Sequence, residues 1–115
     1  MSLSEFELKK CEKELDEFLS ARRPPVQMRD ELDLAYRISG QSVEIFEVTP
    51  GFRNPSQKVE TPVGKATYIK SQKYWAVYWP KSDMKWHKYS PCPVVESLEA
   101  FLKLVDEDKH ACFFG

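Results

Sequence analysis

The stretch Leu32-Asp33-Leu34-Ala35-Tyr36-Arg37-Ile38-Ser39-Gly40-Gln41-Ser42-Val43-Glu44-Ile45-Phe46-Glu47-Val48 decides the fold. From Leu32 to Ile38, apolar residues alternate with Asp33, Ala35 and Arg37, which is the period of a strand with one buried face. Ser39-Gly40 then offers a turn, because glycine reaches φ > 0 without a Cβ penalty. Val43 to Val48 is β-rich again, so the pattern predicts a hairpin with strands over about 31–39 and 42–49. In the second strand the alternation fails at Ile45-Phe46. Either both faces are covered there or a bulge sits at that point.

Outward from the hairpin, toward the N-terminus, the period becomes helical. Ser2-x-x-Glu5 and Ser4-x-x-Glu7 both have the form of a capping box. Leu8, Cys11, Leu15, Phe18 and Leu19 follow on one apolar stripe. The helix, about 4–22, must stop before Pro24-Pro25, which cannot continue it.

Toward the C-terminus, residues 49–62 read as a loop containing Thr49-Pro50-Gly51 and Asn54-Pro55-Ser56. A loop of that length is uncommon in a compact domain and is either functional or mobile. Strands are expected at about 62–70, 73–80 and 85–89. A second helix is expected at about 94–107, with Leu98, Phe101, Leu102 and Val105 on its buried face together with Leu15 and Phe18 of the first. The tail 110–115 carries Phe113-Phe114, which must dock in this chain or in another, docking within the chain being the default. The expected architecture is α+β in one domain, 1–115. It has an N-terminal helix, an antiparallel meander of about five strands and a C-terminal helix, with both helices on one face of the sheet.

Composition narrows the class. With 115 residues, 42% hydrophobic and 30% charged, the chain can build one core without staples and is not of disordered type. No run approaches the ~18 apolar residues of a membrane span. The first residues lack the basic-then-apolar order of a signal peptide. Three widely spaced cysteines, Cys11, Cys92 and Cys112, are an odd set, which points to a reducing, cytoplasmic setting rather than a disulfide framework. Net charge is −1, but residues 58–92 carry seven lysines and two acids while both ends are acidic. That pattern fits an ordinary solvated surface or a basic face with an anionic partner.

Arg23-Pro24-Pro25, Arg29-Asp30-Glu31-Leu32, Tyr36-Arg37-Ile38-x-Gly40-x-Ser42-Val43, Phe46-Glu47, Trp75-x-x-Tyr78-Trp79, Trp86-His87-x-Tyr89 and Cys112-Phe113-Phe114-Gly115 occur in this order. As a set they resemble the bacterial family described as domain of unknown function 3024, from about residue 8 to the end. The turn Ser82-Asp83-Met84-Lys85 stands where that family often has Asp-x-Asn-Gly. The resemblance implies the domain boundary and a bacterial cytoplasmic setting. It brings no activity, substrate or catalytic residue.

Seven aromatics fall between Tyr68 and Tyr89. Strand alternation sends Trp75, Val77 and Trp79 to one face and Tyr74, Ala76 and Tyr78 to the other. One of these faces must meet the helices. The candidate binding set is therefore Lys73, Tyr74, Trp75, Tyr78, Trp79, Lys85, Trp86, His87 and Tyr89, on an aromatic sheet face or in a sheet–helix cleft. Exposed aromatics beside lysines suit single-stranded nucleic acid. The competing reading is plain sheet packing, in which aromatics fill strands and lysines guard edges.

His87-x₄-Cys92 and His110-x-Cys112 do not have zinc-ligand spacing, so no metal and no cofactor are expected. No catalytic motif is recognisable, and Cys92 with His87 could act together only if the fold joined them. Asp30, Glu31 and Asp33 form an acidic cluster that solvation would satisfy. The expected role is a non-enzymatic binding or protein-interaction domain, as a homodimer through the aromatic face or edge, with an unknown protein or small ligand and no membrane. A small nucleic-acid-binding accessory protein is the alternative, and an uncharacterised enzyme with a pocket under the 49–62 loop is the third reading.

Overall fold

Ser4 starts the first helix. Its hydroxyl accepts from the Glu7 N–H at 3.1 Å, and the Glu7 carboxylate accepts from the Ser4 N–H at 2.9 Å, so two donors at the helix start are satisfied reciprocally. Helix α1 runs Glu5–Arg22 and ends where Pro24 forbids another turn. The computed structural model describes residues 3–54, 56–81, 83, 85–108 and 113. A short 3₁₀ turn, Val26–Met28, leads to the sheet.

The strands are β1 (Asp33–Ser39), β2 (Ser42–Pro50), β3 (Lys58–Ile69), β4 (Tyr74–Pro80), β5 (Trp86–Lys88) and β6 (Val94–Val95). All pair antiparallel in one six-stranded sheet, in the order β1-β2-β3-β4-β5, with β6 also on β4. Helix α2, Leu98–Glu107, closes the fold. The class is α+β, with both helices packed on the sheet.

Three boundaries differ from the sequence expectation. The loop placed at 49–62 is shorter, because Lys58–Thr61 extends β3 against Glu47–Pro50 and leaves only 51–57 as connection. There the Gly51 N–H donates to the Gln57 carbonyl at 2.7 Å. The second helix starts at Leu98 rather than 94. Val94 and Val95, both β-branched, extend along β4 instead, and the Ser97 hydroxyl caps the helix by accepting from the Ala100 N–H. Finally, β1 begins at Asp33 rather than 31.

Segments β5 and β6 are one edge strand interrupted once. The Tyr89 N–H donates to the Val77 carbonyl and the Val77 N–H donates to the Pro93 carbonyl, each at 2.9 Å, so Ser90–Cys92 loops out between them. Prolines at 91 and 93 lack the N–H a continuous ladder requires. On the other side of the sheet, the pairing of β2 with β3 shifts between Ile45 and Phe46: Ile45 faces Gly64, Phe46 faces Pro62, and Val63 is the extra residue. That bulge is the irregularity the Ile45-Phe46 pair announces.

The core lies between the sheet and the helices. Leu98, Phe101, Leu102 and Val105 are buried, as are Cys11 and Leu15, while Phe18 is half-buried against them. From the sheet come Leu34, Val43, Ile45, Val63, Ala66, Trp75, Val77 and Tyr89. The Phe113 ring docks in this same core, 4.8 Å from that of Tyr89. The expectations placed on His110, Cys112 and Phe114 lie outside the described residues.

The helices run side by side in the same direction. Arg22 near the end of α1 meets Asp106 near the end of α2 at 2.6 Å, and the first turns of both border one cleft. No helix of the described chain is long and apolar enough to cross a membrane.

Candidate functional site

The helix-free face of the sheet is built by the register. Arg37, Glu44, Lys65, Tyr78 and Lys88 stand opposite one another in a single row across β1 to β5. Beside this row sit Phe46 and Pro62 on one flank, and Ala76 with Thr67 and Val94 on the other. Trp86 lies opposite Pro80 on the same side as Tyr78.

The polar groups of this face are tied to its rings. The Arg37 guanidinium lies 4.7 Å above the Phe46 ring and grips the Glu60 carboxylate at 2.8 and 2.9 Å, with Glu44 at 3.7 Å. This cover leaves Phe46 only 8% exposed, although it faces away from the helices. The Lys65 ammonium sits 5.5 Å from the Tyr78 ring centre and 5.8 Å from that of Trp86, a cation held by two aromatic faces. A hollow of about 220 Å³ opens between Arg37, Glu44, Phe46, Glu60, Pro62 and Trp86. Carboxylates and ammonium groups alternate here, so the face carries no strong field of one sign.

The structure divides the nine sequence candidates. Trp75 and Tyr89 are core residues, 7% and 2% exposed, Trp75 packing 5.2 Å from Tyr68 and Tyr89 against Phe113. Tyr74, Tyr78 and Trp86 are half-buried on the helix-free face. Trp79 and His87 pair on the opposite, helix-bearing side, where Lys81 lies 5.5 Å from the Trp79 ring. His87 shares a 2.8 Å hydrogen bond with Asp83, whose carboxylate also accepts from the Lys85 N–H. That backbone bond first, and His87 second, hold the Asp83 carboxyl below its usual range. Lys85 itself is exposed. Lys73 stands apart at the β3–β4 turn, with a left-handed φ of 58°.

Lys73 and Trp75 border a second hollow, the sheet–helix cleft of about 200 Å³, with Glu7, Glu14, Glu96 and Cys11. Burial pushes the Cys11 thiol up to about 11, and the Glu14 carboxyl is raised by burial as well. Cys92 and His87 are not hydrogen-bonded to each other: the Cys92 thiol donates to the Val94 carbonyl at 3.4 Å. Among the described residues no group of three or more His, Cys, Asp or Glu side chains is placed to hold a metal ion.

Within the acidic cluster, Asp33 is more than solvated. Asp33 accepts from Arg23 Nε at 2.6 Å and Nη2 at 2.7 Å, joining the end of α1 to the start of β1. Arg23 holds the Asp33 carboxyl below its usual range, chiefly through this hydrogen bonding. Arg37, Glu44, Phe46, Glu60 and Lys65 were not among the sequence candidates. A signal existed for two of them: the Gly40-Gln41 turn sets Arg37 opposite Glu44 once the hairpin is drawn.

A family model described as a domain of unknown function (DUF3024) matches residues 3–115. The chain belongs to this family. The match takes in both helices and all six strands of the DUF3024 fold described above. No curated protein and no solved structure matches the chain. The DUF3024 assignment carries no activity of its own, so the reading of the site rests on its geometry.

Proposed function

We propose that this chain is a non-enzymatic protein-interaction domain of the cytoplasm, working as a homodimer and offering the helix-free face of its sheet to a protein partner. The observation that carries the reading is the state of that face. Tyr74, Tyr78 and Trp86 stay half-exposed there, Val94 is 42% exposed, and no described element lies over them. Half-exposed aromatic rings framed by charged side chains of both signs are the make-up of a protein contact surface.

The same geometry disfavours single-stranded nucleic acid. Lys65 already occupies the neighbourhood of both the Tyr78 and Trp86 rings, where bases would stack, and Glu44 and Glu60 would face phosphates. Amide hydrogen exchange of the full chain at low and high protein concentration tests the reading. Added protection confined to strands of the sheet is the expected result. Exchange that ignores concentration, together with retardation of a single-stranded oligonucleotide that fades as salt rises, would replace the reading with the nucleic-acid one.

A further inference from the structure

We infer that two copies of the chain pair through β1, antiparallel about a two-fold axis at Ala35, so that Asp33 of each copy meets Arg37 of the other. This inference rests on the homodimer reading and names its interface.

The edge of the sheet at β1 is open. β1 is the terminal strand of the sheet, and no described strand pairs with it on its outer side. Its pairing with β2 runs from Asp33 to Ser39 without a shift, and it contains no proline. It therefore lacks two devices, the bulge and the proline, that commonly blunt an edge strand.

The backbone groups that face outward can be assigned from the hairpin. The Tyr68 N–H donates to the Gln41 carbonyl, so Gln41 turns toward β3 and Ser42 toward β1. Alternation along the hairpin then points Asp33, Ala35, Arg37 and Ser39 inward to β2. Leu34, Tyr36 and Ile38 aim their N–H and C=O groups at the open edge. The Leu34 N–H is occupied by the Asp33 carboxylate at 2.8 Å, a local acceptor that a second strand would replace.

The sequence of the strand is self-complementary. Reading outward from Ala35 in both directions gives Leu34 and Tyr36, then Asp33 and Arg37, then Leu32 and Ile38. A two-fold axis at Ala35 makes Leu34 and Tyr36 of opposite copies the hydrogen-bonded pairs, using outward groups only. It sets Asp33 against Arg37 twice, beside the Arg23 and Glu60 partners that these two groups already hold within each copy. It also sets Leu32, which is 37% exposed, over the half-buried Ile38 of the second copy. Moving the axis two residues either way opposes Asp33 to Asp33 or Arg37 to Arg37. Moving it one residue leaves Asp33 opposite Ser39 or Ala35. Like charges directly opposite one another destabilise a strand pair and opposite charges support it, so charge selects the register.

The pairing joins two sheets into one, with both helix-free faces on the same side. The surface offered to a partner is thereby doubled without being covered.

An Ala35→Cys variant of the full chain tests this. In the inferred register the two substituted positions form a non-hydrogen-bonded pair with Cα atoms about 4.5 Å apart, inside the range a disulfide spans. Mild oxidation should join the introduced thiols, with the linked peptide identified by mass spectrometry against the native ones. Arg37→Cys should not join to itself but should join to Asp33→Cys when the two variants are mixed. Arg37→Glu should weaken dimerisation by about tenfold or more, since it sets a carboxylate directly opposite Asp33 at two places. A dimer seen by sedimentation without the Ala35→Cys cross-link would overturn the β1 interface and leave the homodimer reading standing. A chain that stays monomeric, with no link formed, would overturn both.

Discussion

The ring of Phe113 lies against Gly64, and the two residues fit because one has no side chain. A Cβ on Gly64 would meet the Phe113 ring at 3.1 and 3.3 Å and Phe101 at 3.4 Å. Gly64 follows Val63, the extra residue of the β2–β3 bulge, so Phe113 comes down beside that irregularity. Phe113 also stands edge-on to Phe101, with ring centres 6.5 Å apart. This contact ties the far end of the chain to β3 and α2.

Phe113→Ala should cost about 3–5 kcal/mol, the range for emptying a buried phenylalanine site, and Phe101→Ala should cost the same. Either loss is comparable to the whole stability of a small domain. Gly64→Ala should cost about 1–3 kcal/mol by overpacking, less if the Phe113 ring can retreat. Urea denaturation of the three variants measures this. Unchanged midpoints for Phe113→Ala would show that the tail does not dock in this core.

The Arg23–Asp33 pair should make stability depend on acid pH. The Asp33 carboxyl is held below its unfolded value, so its contribution is complete above that value, near 4, and is lost as pH falls through the folded one. The two side chains remain 40% and 20% exposed, so solvent screens the pair and keeps its contribution small despite its two-pronged geometry. Arg23→Ala should be less stable than wild type at neutral pH, and the two curves should converge as pH drops toward about 2. A gap between them that is constant with pH would remove the ion pair as its cause.

The described thiols should differ in reactivity. Cys11 is buried in the core and its thiol is pushed to about 11, so little thiolate forms at neutral pH. Cys92 is half-buried in the loop between β5 and β6. Iodoacetamide should label Cys92 in the folded chain and Cys11 only on unfolding. Reductant should leave the melting temperature unchanged, and chelator should as well. Rapid labelling of Cys11 in the folded chain would contradict the packing of α1 against the sheet.

Much of the fold was legible because each element carries a local signal. Ser4 and Glu7 mark the start of α1, Pro24 its end, and Gly40 the hairpin turn, with φ of 60°. What could not be read was set by partners distant in sequence. Val94 and Val95 look like the first turn of a helix until β4 offers them a ladder. Lys58–Thr61 looks like loop because its pairing with β2 depends on where the hairpin turns. The candidate site was harder still. Alternation separates Trp75 from Tyr74 but cannot say which face the helices cover. Nor could it show that Arg37 reaches Glu60 across β2 and lies over Phe46 on the way.

Self-association is the property to measure first. Sedimentation equilibrium of the full chain, from low to high micromolar concentration, tests it most directly. The average mass should rise from the monomer toward twice that value and stop there. The curve for Arg37→Glu should be displaced to higher concentration. A mass that stays at the monomer value across the whole range would contradict it.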